Sequence, residues 1–330
     1  MGVPKLIKKI LFFQAFCVLT CLYAWKLLVS PLTWLVFQVL ETAGLITRPP
    51  LVVRTPDSCF DVAVANGYPF PPHYLDYNGV RVHYVDEHPV HAQHTLLLLH
   101  GEPSWSFLYR HMIPILSSAG YRVIAPDFIG FGKSDKYTTV ESYSHEMHTD
   151  VLKRIITVLD LRSVTMVVQD WGGLTGLSVL KDPAISSRVE SLVIMNTGLP
   201  GAVIGGSHKP LERLQNSLTL LLRNPKNVMA FLTWRMAVAV METYLPVGRL
   251  FKLSCRGLPE GARQSYDAPF HIRAAKAGAA KWPLLVPIFP LMHVATDMQR
   301  TADFLSTWQK PTKVFFYAAC CTSHSIVHIC

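Results

Sequence analysis

The sequence predicts an α/β domain built on a mostly parallel sheet, and two observations support this. First, short apolar runs near residues 95, 122 and 164 have the composition of buried parallel strands. Second, helical patterns at 104–118 and 144–160 separate these runs. Strands that alternate with helices in this way are typical of a parallel sheet with helices packed on its faces.

A hairpin precedes the first of these strands. His73–Tyr77 and Val80–Val85 are joined by Asn78-Gly79, a dipeptide that favours a tight two-residue turn. The segment before the hairpin is rich in Pro, Gly and Asp, so we predict a linker over residues 46–72. Residues 73–197 then form the first part of the α/β core.

Composition limits the function classes. The chain has 330 residues and is 50% apolar, enough for one large domain or one domain with an inserted cap. The formal net charge is +9, but no basic cluster interleaves with aromatic residues, which argues against a nucleic-acid partner. The seven cysteines form neither a spaced disulfide framework nor a metal-binding pattern, so we predict no metal and no cofactor.

The N-terminus predicts a membrane anchor over residues 1–45. Ile10–Trp25 and Leu27–Leu40 contain no charged residue, and Lys26 divides them. Three lysines precede the apolar run, as they do in a signal peptide or in an anchor. No cleavage site follows, which favours the anchor, and the endoplasmic reticulum is one location that fits it. Pro31 leaves a hairpin open as an alternative, and the side of the membrane is left open too.

The segment Val167–Gly173 (VVQDWGG) contains the first candidate for chemistry. Asp170 follows an apolar strand and precedes a helix with two glycines, a position where a nucleophile is exposed above a sheet. A carboxylate there can attack carbon that carries a leaving group and form an ester that water later opens. The alternative is a helix N-cap, a common position for aspartate.

Three segments together carry a family resemblance. HGEPSWS at 100–106, APDFIGFGKSD at 125–135 and VVQDWGG at 167–173 occur in the order and at the approximate separations of the haloalkane dehalogenases. The resemblance covers about residues 75–315. It implies an α/β-hydrolase fold with a helical cap inserted at 198–282 and the rest of the core at 283–330.

The resemblance also implies a site. Asp170 is then the catalytic nucleophile that displaces halide from a small apolar substrate, a halogenated alkane. The indole N–H groups of Trp171 and Trp234 would bind the halide, because an indole donates a hydrogen bond and accepts none. The backbone amides of Glu102 and Trp171 would form the oxyanion hole. Core packing is the alternative for both tryptophans, and His100 is expected to brace its loop rather than act as a base.

The resemblance ends near residue 317. The family places its triad acid after the strand that 310–317 resembles and its catalytic histidine farther on, whereas His324 and His328 lie in no recognisable segment. The family's other acid position holds Asn196, and no Asp or Glu follows Asp303. We therefore expect a truncated or aberrant C-terminus without the last strand and helix of the fold. The sequence predicts attack by Asp170 but no recognisable means of activating water.

Two other functions fit parts of the sequence. Epoxide hydrolases share the aspartate nucleophile but need tyrosines in the cap, for which Tyr244 and Tyr266 are the candidates. A membrane-tethered α/β-hydrolase homologue that binds ligands without catalysis is the alternative from a different class.

Overall fold

A seven-stranded sheet lies at the centre of the computed structural model. The structure describes residues 3–43, 51–89, 92–199, 225–255, 257–288 and 292–316, together with Glu212, Gln215, Asn216, Thr219, Leu222 and Arg223. His324 and His328 lie outside the described residues.

The strands follow the sequence pattern closely. They are β1 (Val52–Val53), β2 (His73–Tyr77), β3 (Val80–Glu87), β4 (Thr95–Leu99), β5 (Arg122–Pro126), β6 (Lys136–Tyr137), β7 (Val164–Gln169), β8 (Val189–Met195) and β9 (Thr312–Phe315). The main sheet has the order β2-β3-β5-β4-β7-β8-β9, and β1 pairs with β6 separately. In this sheet the pairs β2–β3 and β3–β5 are antiparallel. The pairs β5–β4, β4–β7, β7–β8 and β8–β9 are parallel.

Eleven helices precede or alternate with these strands in the described part of the chain. They are α1 (Val3–Thr42), α2 (Asp61–Ala65), α3 (Met112–Ser118), α4 (His145–Val158), α5 (Trp171–Val179), α6 (Pro183–Ser186), α7 (Pro225–Met241), α8 (Val247–Ser254), α9 (Glu260–Asp267), α10 (Ala277–Leu285) and α11 (His293–Ser306). The predicted hairpin is confirmed as β2–β3, with Asn78 and Gly79 both at positive φ in its turn. The predicted α/β architecture is confirmed as well.

The central strands position the site. β4 lies between β5 and β7, and all five of its residues are buried. Its register aligns Leu99 with Val168 of β7, so both strands end at the same edge of the sheet. Loops that leave the carboxyl ends of parallel strands meet at such an edge, the usual place for a ligand site in α/β proteins. His100 and Asp170 are the first residues beyond the ends of β4 and β7 there.

The predicted linker needs correction from residue 51 onwards. This stretch contains β1, a 3₁₀ turn at Asp57–Phe60 and α2. Phe60, Ala63 and Tyr68 lie in the main hydrophobic core, with at most 2% of their surface exposed. The Pro and Gly content suggested a loop, but the aromatic side chains between those residues pack against Trp105 and hold the segment on the core.

Helices α7 to α10 lie between β8 and β9, where the cap is predicted. Of these, α7 is followed directly by the 3₁₀ turn Glu242–Tyr244. Within the described residues, α1 is long and apolar enough over Gln14–Thr42 to cross a membrane. It packs against α7, where the Lys26 ammonium donates to the carbonyl of Ala239 over 2.6 Å and pairs with the Glu242 carboxylate.

Candidate active site

Asp170 occupies a strained turn between β7 and α5. Its backbone has φ 51° and ψ −122°, a left-handed conformation that an aspartate rarely adopts. Asp170 occupies the N-cap position of α5, but its side chain makes no capping hydrogen bond of the usual kind. The N-cap alternative alone therefore does not account for its conformation. Strain of this kind persists only where the surrounding structure enforces it, and it concentrates at functional sites.

Two backbone amides face the Asp170 carboxylate. The Glu102 amide donates to Oδ1 over 2.8 Å, and the amide of Trp171 also bonds to the carboxylate. Burial raises the pKa of Asp170 above its ordinary value, while these two hydrogen bonds act in the opposite direction. The structure thus brings Asp170, Glu102 and Trp171 together. Two converging amides form the donor arrangement that stabilises an oxyanion.

Glycines allow the strand ends to approach this closely. A Cβ atom at Gly101 would lie 2.3 Å from the Cβ of Asp170, and one at Gly172 would lie 2.3 Å from the carbonyl oxygen of Leu99. Real Cβ atoms do not approach other atoms this closely, so any side chain at either position must displace the turn. The two positions therefore require glycine because backbone and nucleophile occupy the neighbouring space.

Thr197 completes the support of the turn. Its hydroxyl donates to the carbonyl oxygen of Asp170 over 2.7 Å from the loop after β8. The same side chain fills the space beside Gly173, where a Cβ would lie 2.1 Å from its Oγ1. Sequence reasoning missed Thr197, since a single threonine in a loop carries no signal before the two loops are placed together.

His100 braces its loop, as the sequence analysis expected. Its ring is fully buried, with Nδ1 3.0 Å from the carbonyl oxygen of Gly101 and Nε2 accepting from the Phe128 amide over 3.1 Å. These partners assign the proton to Nδ1 and leave a neutral ring. Burial lowers the pKa of His100, consistent with that state. Both ring nitrogens are engaged, so His100 is unavailable as a general base.

Asp127 anchors the loop after β5. Its carboxylate accepts from the Ser106 amide over 2.7 Å and from the Lys133 amide over 2.8 Å, and its Oδ2 lies 2.8 Å from Nδ1 of His83. Burial alone would raise the pKa of Asp127, but His83 and these hydrogen bonds outweigh it and hold the pKa well below its ordinary value. Because the Asp127 carboxylate stays ionised, it can hold the loops that contain Ser106 and Lys133 in place through these hydrogen bonds.

Trp171 lies under an aromatic layer. Its ring is 5.4 Å from that of Trp282 and 6.4 Å from that of His145, measured between centroids. Trp282 also contacts the rings of His100, Phe128 and Phe131. The indole N–H of Trp282 donates to Nε2 of His148 over 2.5 Å, whereas that of Trp171 has no acceptor among the residues the structure describes. A donor left open beside Asp170 suits an anion.

Trp234 lies apart from this group. It packs with Val238, Leu284 and other apolar residues against one face of α10, and its ring contacts Phe231 at 6.2 Å. Trp282, on the opposite face of the same helix, meets Trp171. Among the ring contacts of the described residues, none joins Trp234 to Trp171. The halide role of Trp234 stays a prediction.

The Glu102 side chain adds a second carboxyl to the site. It is half-buried, and burial together with the negative charge of Asp170 raises its pKa well above the ordinary value. Glu102 therefore keeps a proton under conditions where Asp170 has lost its own. From the sequence, only the backbone amide of Glu102 could be assigned a role, because the protonation of its side chain depends on how near the two carboxyls lie.

A cleft of about 260 Å³ opens beside the nucleophile turn, at the carboxyl ends of β7, β8 and β9. Its lining residues are Leu108, Tyr109, Met112, Gln169, Met195, Asn196 and Phe315. Asn196, the amide in the family's second acid position, follows β8 at φ 42°, and its backbone amide donates to the Phe315 carbonyl over 3.1 Å. An amide at this point of the cleft cannot stabilise an imidazolium as a carboxylate does.

Neither of the two tyrosines suggested for epoxide opening has surroundings that mark it as a proton donor for a substrate beside Asp170. Tyr244 is 66% exposed and bonds to the guanidinium of Arg273. Tyr266 is buried with its ring stacked on Phe251 at 3.9 Å. Among the described residues, no cluster of His, Cys, Asp and Glu has the form of a metal site.

A mostly parallel sheet, a strained turn at Asp170 and two converging amides are typical of an α/β-hydrolase. The family model of the alpha/beta hydrolase fold matches residues 94–230. A haloalkane dehalogenase of Mycobacterium marinum is 40% identical over 271 residues, which cover 80% of this chain and 82% of the relative. That of Psychrobacter cryohalolentis is 37% identical over 271 residues, with 80% of each chain covered.

A solved structure agrees with these relatives. The haloalkane dehalogenase DpaA of Paraglaciecola agarilytica superposes with a TM-score of 0.68 at 31% identity, covering 80% of this chain and 81% of its own. The chain therefore belongs to the haloalkane dehalogenase family. The comparisons favour neither epoxide hydrolysis nor non-catalytic binding.

Proposed function

We propose that Asp170 attacks the halogen-bearing carbon of a small apolar substrate. In this step a carboxylate oxygen bonds to the carbon while the carbon–halogen bond breaks, and the halide leaves with the bonding electron pair. The enzyme then carries an alkyl ester on Asp170. The observation that carries the proposal is the strained Asp170 turn with the Glu102 amide 2.8 Å from Oδ1.

Trp171 is proposed to receive the halide. Its indole lies on α5 directly after the nucleophile, only 4% of its surface is exposed, and its N–H has no acceptor within the described part of the chain. Trp234 is the second donor that the sequence proposes, and it reaches the halide only if the cap rearranges around α10.

Hydrolysis of the ester needs an activated water molecule. The amides of Glu102 and Trp171 are proposed to stabilise the oxyanion that forms when water adds to the ester carbonyl. Among the described residues no histidine bonds to the Asp170 carboxylate, and Asn196 stands in one of the family's acid positions. Without a general base, ester opening slows by a factor on the order of 10²–10⁴, so we expect the alkyl-enzyme to accumulate.

Attachment to a membrane is the second part of the proposal. It is supported by the apolar stretch Gln14–Thr42 of α1 and by the lysines that precede it. A membrane would concentrate apolar halogenated substrates near the cap. An endoplasmic reticulum location fits such an anchor.

Intact-mass measurement after incubation with a bromoalkane tests the chemistry. We expect the full chain to gain one alkyl group, mapped to Asp170, and Asp170→Asn to gain none. Glu190→Ala, an exposed position far from the turn, is the matched control and should be alkylated like the parent. An unmodified parent chain that also releases no bromide would refute the assignment of Asp170. Repeated bromide release with no adduct would show that ester opening is fast.

A further inference from the structure

The contact between α1 and the cap indicates how α1 is oriented in a membrane. The half-buried residues of α1 include Phe16, Leu19, Tyr23 and Lys26, whose spacing of three and four places them on one face of the helix. The contacts of this face with α7 include Lys26 with Ala239 and Glu242. A second contact joins Thr20 Oγ1 to Met236 Sδ at 3.7 Å.

The opposite face of α1 is apolar and exposed. Its exposed apolar residues are Val18, Leu22, Trp25, Leu28, Leu32, Leu35, Val36 and Val39, whereas Leu27 and Trp34 are exposed on the side of the cap contacts. Leu28 exposes 77% of its surface. At about 100° per residue, this stripe is centred roughly 180° from the side chains that meet the cap. The helix therefore has a protein face and an unpartnered apolar face.

The charge of Lys26 falls on the protein face. Lys26 interrupts an apolar run from Ile10 to Leu40, and its ammonium is neutralised by Glu242. Glu242 is itself held at φ 45°, a left-handed conformation at the end of α7. The one charge in the run is thus turned away from the apolar stripe, which leaves that stripe without a charged group.

A helix that crossed the membrane would conflict with this packing. Ile10–Leu40 extends about 46 Å, whereas the hydrocarbon core of a bilayer is about 30 Å thick. The residues that meet α7 lie near the middle of the run, so crossing would draw α7, Arg235 and Glu242 into hydrocarbon. Each charged residue at the bilayer centre costs about 2.5–3.5 kcal/mol on insertion scales.

We infer that α1 lies along one leaflet instead of crossing the bilayer, with its Leu28 stripe in lipid and its Lys26 face clamped to the cap. The inference rests on the membrane attachment proposed above and assigns its geometry. Lipid is the occupant of the stripe because the face is apolar over its whole length and includes Trp25, a residue typical of membrane interfaces. Both ends of α1 are then on the side of the catalytic domain.

Two measurements on the full chain in sealed microsomes test this geometry. Epitope tags at both termini report sidedness by protease digestion, and we expect the two tags to share one fate, either both digested or both protected. A cysteine pair at Thr20→Cys and Met236→Cys reports docking by oxidative cross-linking, with Cys17 and Cys21 changed to serine. In the matched control, Trp25→Cys on the opposite face of α1 is combined with Met236→Cys. This pair should cross-link at least tenfold less.

The ion pair supplies an internal check. Glu242→Gln should lower the yield of the 20–236 cross-link at least threefold, and the swap of Lys26→Glu with Glu242→Lys should restore it. If the cap folds but α1 does not dock on it, neither the loss of cross-link yield in Glu242→Gln nor its restoration by the charge swap should occur.

Each contrary outcome has a distinct meaning. One tag digested and the other protected shows a crossing helix and overturns the inference, while attachment stands. Accessible tags without the 20–236 cross-link show a hairpin away from the cap and also overturn it. Trp25→Cys chains that cross-link to one another show that a second copy covers the stripe. A chain found only in the soluble fraction removes the membrane attachment itself.

Discussion

The amide of Glu102 donates a hydrogen bond to Oδ1 of Asp170 over 2.8 Å, although 68 positions separate the two residues in the chain. The bond joins the loop after β4 to the turn after β7, and the parallel pairing of these two strands brings both loops to one edge of the sheet. In the proposed reaction this one amide would therefore contact the attacking carboxylate and, in the later ester, the oxygen on which negative charge develops.

The first prediction concerns pH. In the proposed reaction only the ionised form of Asp170 attacks, and burial raises its pKa above the ordinary value of 3.8. Lowering the pH through that pKa protonates the nucleophile, so the rate of alkylation should fall on the acid side with a midpoint above 3.8. Single-turnover alkylation by a bromoalkane, followed by intact mass between about pH 4 and pH 8, measures this midpoint.

Glu102→Gln is the control for that profile. Because Glu102 has the more strongly raised pKa, it already carries its proton while Asp170 titrates. The substitution should therefore leave the acid midpoint in place. A midpoint that moves with Glu102→Gln, or one at or below 3.8 in the parent, would contradict this order of protonation.

The second prediction concerns Gly101. A methyl group at this position would lie 2.3 Å from the Cβ of Asp170, so Gly101→Ala must push the nucleophile out of place. Misplacement by about 1 Å costs on the order of 100-fold in rate, and we expect a loss of at least that size in alkylation. The rate constant from intact-mass time courses gives the answer.

Gly79→Ala is the matched substitution. Gly79 has φ 81° in the β2–β3 turn, with no atom within 4 Å of an added Cβ. The change strains the backbone by about 1 kcal/mol but lies far from the nucleophile turn, so alkylation should keep its parental rate. Equal losses in the two variants would mean that Gly101→Ala acts through general destabilisation.

Much of the fold could be predicted because its signals are local. The β-branched and leucine runs that became β4, β5 and β7 are buried on both faces, and such strands have a continuous apolar pattern. The Asn78-Gly79 turn is equally local. Asp170 could be placed at the end of β7 because the apolar run before it is also a local signal. Gly101 and Gly172 lie in the two motifs that flank the turn, and the structure shows that the close approach there requires glycine.

The rest depends on contacts that no local pattern encodes. The composition of the segment after residue 51 predicted a linker, but Phe60 and Tyr68 bury their rings against Trp105. Trp234 lies in a segment that resembles the family's, yet which face of α10 it meets is decided by how the cap packs. Lys26 finds Glu242 across 216 positions, a pairing that the apolar pattern of α1 cannot indicate.

The third prediction concerns stability. Asp127 is fully buried and accepts hydrogen bonds from Ser106 and Lys133, so Asp127→Ala leaves buried donors and His83 without their partner. Each buried donor left without an acceptor costs about 1–3 kcal/mol of the free energy of unfolding. Urea unfolding of the detergent-solubilised chain, followed by tryptophan fluorescence, measures the change.

The exposed pair of Glu190 and His94, at 3.7 Å, is the comparison for Asp127. Glu190→Ala should cost less than about 1 kcal/mol, because solvent screens exposed ion pairs. Since the folded pKa of Asp127 is lowered, its stabilisation is present above the unfolded value of about 3.9 and is lost only as the pH falls towards the folded pKa. A cost for Asp127→Ala no larger than that for Glu190→Ala would contradict the anchoring role.

The last prediction separates the two candidate halide donors. Trp171→Phe keeps an aromatic ring under Trp282 and removes only the indole N–H, so packing is largely retained. Loss of one preorganised donor to a developing anion typically costs on the order of 100-fold, and we expect alkylation by a bromoalkane to slow by about that factor. Trp234→Phe should change the same rate less than about threefold, because α10 lies between Trp234 and Trp171. Equal losses in the two variants would show that the cap closes to bring Trp234 to the halide, and an unchanged rate in Trp171→Phe would remove Trp171 from that role.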